Sequence, residues 1–139
     1  NEAILLAISD SEAFESVMSA YRLPKKTEDE KIQRTEEIRN ATIGAALAPL
    51  DTASSAQKLL SNLEQQSASC NPNALTDLAS ASEMALSAAK IASLNVRVNL
   101  DYIEGEDVDL LTSKINTAVE QSIKSANIVA TTVNKRLEW

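Results

Sequence analysis

The sequence predicts an all-α protein, an antiparallel bundle of about five helices. Three observations lead there. Glycine occurs twice and proline three times in 139 residues, so sharp turns are few. Aromatic residues make up 3% of the chain while alanine and serine recur densely, which suits closely packed helices around an aliphatic core. Apolar residues return at alternating spacings of four and three, and no segment alternates with period two as a half-buried strand does. The length is enough for one domain with a real core, and residues 1–139 are taken as a single helical domain.

The first predicted helix runs from about Glu2 to Leu23, with Ala3, Ala7, Asp10, Phe14, Val17 and Tyr21 on one face. Pro24 ends it, because proline lacks an N–H and disfavours helix at the residue before it. Thr27-Glu28-Asp29-Glu30 follows as a capping box, in which Thr27 and Glu30 satisfy each other's backbone donors. A second helix runs to about Ala48, Pro49 kinks or breaks it, and a third continues to about Ser69. Asn71 before Pro72 fits the N-cap and first position of a fourth helix. That helix carries Asp77, Ala81, Met84, Ala88, Ile91, Asn95 and Val98 at spacings of four and three. Gly105 marks the next break, and the last helix shows the stripe Ile115, Val119, Ile123, Ala126, Ala130, Val133, Leu137.

Composition narrows the chemistry. Histidine is absent, which excludes histidine-based acid–base work, Ser-His triads and His-ligated zinc. Cys70 is the one cysteine, so neither an internal disulfide nor a cysteine metal cluster is expected. A reducing, cytoplasmic setting is the simpler expectation. The formal net charge of −7 and the scarcity of aromatics argue against nucleic acid as a partner. No apolar run reaches the length of a membrane span, and "AILLAI" near the start has no basic flank of the kind a signal peptide carries. The chain opens at Asn1 already in helical register, as a fragment or trimmed product would.

Polar residues that interrupt apolar stripes are the candidate site. Asp10 sits between Ala7 and Phe14 in the first stripe. An inward carboxylate needs a partner or a water-filled cleft; otherwise that end of the helix is exposed and Asp10 is a plain surface acid. Asp77, Asn95 and Asn99 interrupt the fourth helix, either as polar contacts between packed helices or as the lining of a cleft. Between the first two helices, Arg22, Lys25 and Lys26 surround Pro24, although the chain as a whole is acidic. They either favour a helix C-terminus and pair with Glu28, Asp29 and Glu30, or form a small site for an anionic ligand.

Five segments occur in order: "DSEAF" (Asp10 to Phe14), "YRLPKKTEDEK" (Tyr21 to Lys31), Ala48-Pro49-Leu50, "CNPNALTD" (Cys70 to Asp77) and "LNVRVNL" (Leu94 to Leu100). Together they resemble the cyclodeaminase domain of formiminotransferase-cyclodeaminase and the related stand-alone bacterial methenyltetrahydrofolate cyclohydrolases. The likeness covers most of the chain, with "RLPK-x-T" its specific part. The glycine-rich "TPGGGS" segment usual near the family's N-terminus has no counterpart, so the chain is taken as N-terminally incomplete. Cys70 and Thr76 stand where the family has glycine and serine.

The resemblance implies a metal-free enzyme with no tightly bound cofactor. Its substrate would be a tetrahydrofolate derivative whose one-carbon unit bridges N5 and N10. The cyclodeaminase closes the formimino group to the methenyl bridge and releases ammonia; the cyclohydrolase adds water to the methenyl carbon. The family's catalytic aspartate maps onto Asp10, where a carboxylate would stabilise the cationic methenyl group and carry a proton. Arg22, Lys25 and Lys26 would take the anionic glutamate tail, with Asn71, Asp77, Asn95 and Asn99 as further substrate-binding candidates. A homo-oligomer, most simply a dimer, is expected, without nucleic-acid or membrane partners. The alternative is a non-catalytic helical scaffold derived from the same family.

Overall fold

The structure, a computed structural model, describes the backbone of residues 2–101 and 103–138, with side chains from Ile4 onward. Ala3 of the expected first stripe lies outside the described side chains. Among the described residues the chain forms α1 (Glu2–Tyr21), α2 (Glu28–Ser67), α3 (Leu75–Leu100) and α4 (Glu106–Leu137), with a 3-10 turn, Pro72–Ala74, leading into α3.

Helices number four rather than five because Pro49 ends nothing: α2 runs through it for 40 residues, about 60 Å. An interior proline costs a helix roughly 3 kcal/mol. Here the helix is held from outside. Ala45, Ala46, Ala48, Leu50 and Ala53 around the proline are all buried against neighbouring helices. The other expected punctuation is present. Glu30 N–H donates to Thr27 Oγ1 (3.2 Å) and Thr27 N–H to Glu30 Oε2 (3.1 Å), which completes the capping box. Asn71 Oδ1 accepts from Asn73 N–H at 3.0 Å, capping the turn before α3. Gly105 starts α4 at φ 130°, a conformation glycine adopts without strain.

Long-range contacts set the helix directions. Arg39 reaches Asp107, Glu64 reaches Ser125, and Ser67 reaches Arg136, so α2 and α4 run parallel. Arg97 meets Asn116, and Leu75 and Leu78 pack with Val129 and Val133, so α3 runs antiparallel to both. Among the described residues, the buried apolar side chains between these three helices form three clusters, the largest of which includes Ala46, Leu50, Ala92, Val96, Leu111 and Ile115. α1, about 30 Å long, lies antiparallel to α2, from its N-terminal end to its middle. Arg34 pins its C-terminal end: Nη2 donates to the Tyr21 carbonyl at 3.1 Å, and the guanidinium sits 5.5 Å from the Tyr21 ring centre.

Two expected stripes are rotated. On α3 the buried face is Leu75, Leu78, Ser82, Ala85, Ala89, Ala92 and Val96, while Met84, Ile91 and Val98 are exposed. On α1, Ala7, Phe14 and Tyr21 are exposed; Leu6, Ala13, Val17 and Ala20 face α2. Both helices are apolar on two adjacent faces. Periodicity detects the apolar surface but not which part of it meets a neighbour. The α4 stripe is half right: Ile115, Ala126 and Val133 are buried, and Ile123 and Ala130 are exposed.

Candidate functional site

A cavity of about 370 Å³ opens where the N-terminal half of α1 meets the middle of α2. This is the size range of small-ligand sites. α1 supplies Leu6, Ala7 and Asp10; α2 supplies Ala48, Pro49 and Thr52; α3 supplies Ala88, Ile91, Ala92 and Asn95. The walls are therefore largely aliphatic, with three polar groups. Small side chains at Ala48, Ala88 and Ala92 create the space, because each leaves room where a leucine would fill it.

Asp10 is exposed at the rim. It does continue the inward row Leu6, Asp10, Ala13, Val17, Ala20, which explains why a carboxylate on that row meets the cavity and not the core. Asn95 is likewise exposed on the opposite wall. Thr52, which the sequence analysis missed, donates its hydroxyl to the Ala48 carbonyl at 3.0 Å. Its signal was present: Thr52 lies three residues after Pro49 and so shares its face of α2.

The remaining candidates lie elsewhere. Asn99 is one turn beyond Asn95 and turns toward α2, donating Nδ2 to the carbonyls of Ala45 (3.2 Å) and Asn95 (3.0 Å). Asp77 is exposed about 27 Å along α3 from Asn95, and Asn71 is farther still, with its side chain engaged as a cap. The structure thus does not bring Asn71 or Asp77 to this cavity, since a 26-residue helix holds its two ends apart.

Arg22, Lys25 and Lys26 are all exposed, at the far end of α1, about 18 Å from Asp10 along the helix. The nearby acids are committed elsewhere. Glu28 pairs with Lys31 at 2.6 Å, and Glu30 serves the capping box while accepting from the Lys26 N–H at 2.6 Å. Among the described residues the three basic side chains form no ion pair. Among the described residues, no group of three or more His, Cys, Asp or Glu side chains is arranged to hold a metal ion, and no helix is long and apolar enough to cross a membrane.

Residues 1–121 match the family described as formiminotransferase-cyclodeaminase. The chain is similar to a methenyltetrahydrofolate cyclohydrolase of Methylorubrum extorquens, 36% identical over 90 residues, which are 65% of this chain and 43% of that protein. It is similar to the formimidoyltransferase-cyclodeaminase of Gallus gallus, 28% identical over 137 residues, 98% of this chain and 25% of that one. Its fold matches the crystal structure of formiminotetrahydrofolate cyclodeaminase from Thermotoga maritima with a TM-score of 0.73 and 26% identity, covering 99% of this chain and 63% of that one. The chain thus spans less than half the length of both curated relatives. The order of its motifs, the helical fold and the match over residues 1–121 agree, and the chain belongs to the formiminotransferase-cyclodeaminase family.

Proposed function

We propose that this chain acts on a tetrahydrofolate one-carbon derivative at the N5/N10 bridge, as a methenyltetrahydrofolate cyclohydrolase or a formiminotetrahydrofolate cyclodeaminase. The names of its relatives support the substrate class. The observation that carries the reading is that Asp10 and Asn95, from distant motifs, line one largely apolar cavity. Aliphatic walls suit a flat heterocycle, and a carboxylate at the rim suits a cationic one-carbon bridge.

In the hydrolytic direction, water adds to the methenyl carbon, a proton leaves the oxygen, and the carbon–N5 bond breaks with N5 protonated. Asp10 stabilises the positive charge and relays the proton. In the deaminating direction, N10 attacks the formimino carbon and the amine leaves as ammonia; the same carboxylate handles the N10 proton. Both routes work without metal or resident cofactor, and the single cysteine and lack of histidine fit a metal-free site in a reducing cytoplasm. Incubation with 5,10-methenyltetrahydrofolate, followed by decay of its chromophore, tests the first route; ammonia release from 5-formiminotetrahydrofolate tests the second. Turnover of neither favours the scaffold alternative.

The basic loop is assigned to the glutamate tail. Replacing both Lys25 and Lys26 by Ala is expected to raise KM about tenfold for a polyglutamylated substrate and far less for the monoglutamate. An equal effect on the two substrates removes the loop from the site.

The cavity opens on an apolar surface. Ile4, Leu5 and Ile8 on α1, and Ile91, Leu94 and Val98 on α3, are each half exposed or more. Such a patch marks an association surface, and a second copy of the chain is its assigned occupant, closing the cavity as it dimerises. Replacing Leu94 and Val98 by Asp is expected to give a monomer by sedimentation equilibrium; a wild-type chain already monomeric at micromolar concentration rejects the dimer.

A further inference from the structure

We propose that Asn99 is a positioning residue for the cavity: its carboxamide supplies the hydrogen bond that Pro49 cannot make, and so holds the α2 wall against α3. The positioning role rests on the reading of this cavity as the folate site; the clamp itself does not.

In an α-helix each N–H donates to the carbonyl four residues earlier. Pro49 has no N–H, so the acceptor it strands is Ala45. Ala45 is only 6% exposed, and a buried carbonyl without a donor is costly. Asn99 Nδ2 donates to the Ala45 oxygen at 3.2 Å, across the α2–α3 interface. Its second hydrogen goes to the Asn95 carbonyl on its own helix at 3.0 Å. Both partners are pure acceptors, which fixes the amide with its nitrogen toward α2. No donor remains on Asn99 for a substrate.

The clamp sits beside the site. Pro49 forms part of the cavity wall on α2, and Asn95, one turn from Asn99, lies on the facing wall. A proline ring pushes against the carbonyl four residues back, so an unclamped α2 would bend there. Bending at Pro49 would change the width of the cavity between Pro49 and Asn95. Asn99 opposes this without touching the reacting atoms.

A double-mutant cycle tests the proposal. Pro49→Ala restores an N–H at position 49 that can donate to the Ala45 carbonyl, making Asn99 redundant as a donor. The wild type, Asn99→Leu, Pro49→Ala and the double variant are compared by thermal midpoint and by kcat/KM on 5,10-methenyltetrahydrofolate and 5-formiminotetrahydrofolate. With Pro49 in place, Asn99→Leu is expected to lower Tm by about 4–8 °C and kcat/KM by about tenfold or more, measured where the protein is fully folded. In the Pro49→Ala background, both losses are expected to shrink to under about half. A Tm loss equal in the two backgrounds overturns the clamp. A Tm loss that shrinks beside a kcat/KM loss that does not overturns the positioning role and makes Asn99 a substrate contact. Should Asn99→Leu fail to fold, Asn99→Ser serves instead, because its hydroxyl can bond the Asn95 carbonyl but is too short to cross to Ala45. If the wild type turns over neither folate, the positioning role falls with the function, and the Tm cycle alone still decides the clamp.

Discussion

Asp10→Asn is expected to lower kcat on 5,10-methenyltetrahydrofolate, or on the formimino substrate, by about 10²- to 10⁴-fold. The substitution keeps the shape of the side chain and removes its charge and its ability to take a proton. Folding is expected to survive, because Asp10 is exposed at the cavity rim and none of the core clusters includes it. The thermal midpoint is expected to move by no more than about 2 °C, as exposed substitutions usually do. The informative result is therefore a split between chemistry and stability. Substrate binding is expected to weaken less than turnover, since the aliphatic walls are unchanged and the carboxylate acts most strongly as charge shifts during the reaction. Full activity in this variant would remove Asp10 from the mechanism, and a chain that failed to fold would mean the carboxylate has a structural partner.

The second large effect is on stability. Ile115→Ala is expected to cost about 2–5 kcal/mol, read from urea or thermal denaturation. Ile115 is completely buried and belongs to the cluster that joins Ala46, Leu50, Ala92, Val96 and Leu111. Its neighbours are mostly alanine, valine and leucine on rigid helices, so the hole left by the missing carbons cannot readily close. Domains of this size are typically stable by about 5–15 kcal/mol, so one truncation consumes a large share. The site is expected to feel it as well, because Ala92 belongs both to this cluster and to the cavity wall. A cost below about 1 kcal/mol would show that the core at this end relaxes freely.

The two predictions concern opposite sides of the same helices. α3 turns Ala92 and Val96 to the core and Ile91 and Asn95 to the cavity. α2 turns Leu50 and Ala53 inward and Pro49 and Thr52 toward the cavity. A rigid three-helix core thus serves as the floor on which α1 lays Asp10. This arrangement suits the proposed chemistry, since groups held by packed helices keep their geometry better than groups on loops.

Local chemistry was enough to specify the helical class and most helix ends. Pro24 after α1, the Thr27–Glu30 capping box, the Asn71-Pro72 turn and Gly105 before α4 each act through their own backbone or that of residues within a few positions. Signals of that range are written in the order of residues, and so they could be read there. Asp10 was legible only as a local anomaly, a carboxylate on an apolar row; which way it would face was not, and the row on which it was placed, with Ala7, Phe14 and Tyr21, is exposed. The continuity of α2 through Pro49 was not legible. The donor that answers the stranded Ala45 carbonyl comes from Asn99, 54 residues away. Nor could spacing say which of two apolar faces of α1 or α3 would be covered, because covering is a property of the neighbour. The placing of Asp10 and Asn95 on one cavity was likewise decided in three dimensions, whereas the distance of Asn95 from Asp77 follows from their spacing on one helix and could have been read from the sequence. A helix is rigid enough to keep its own residues about 27 Å apart, while its packing against other helices brings residues from three separate motifs to one wall-to-wall space.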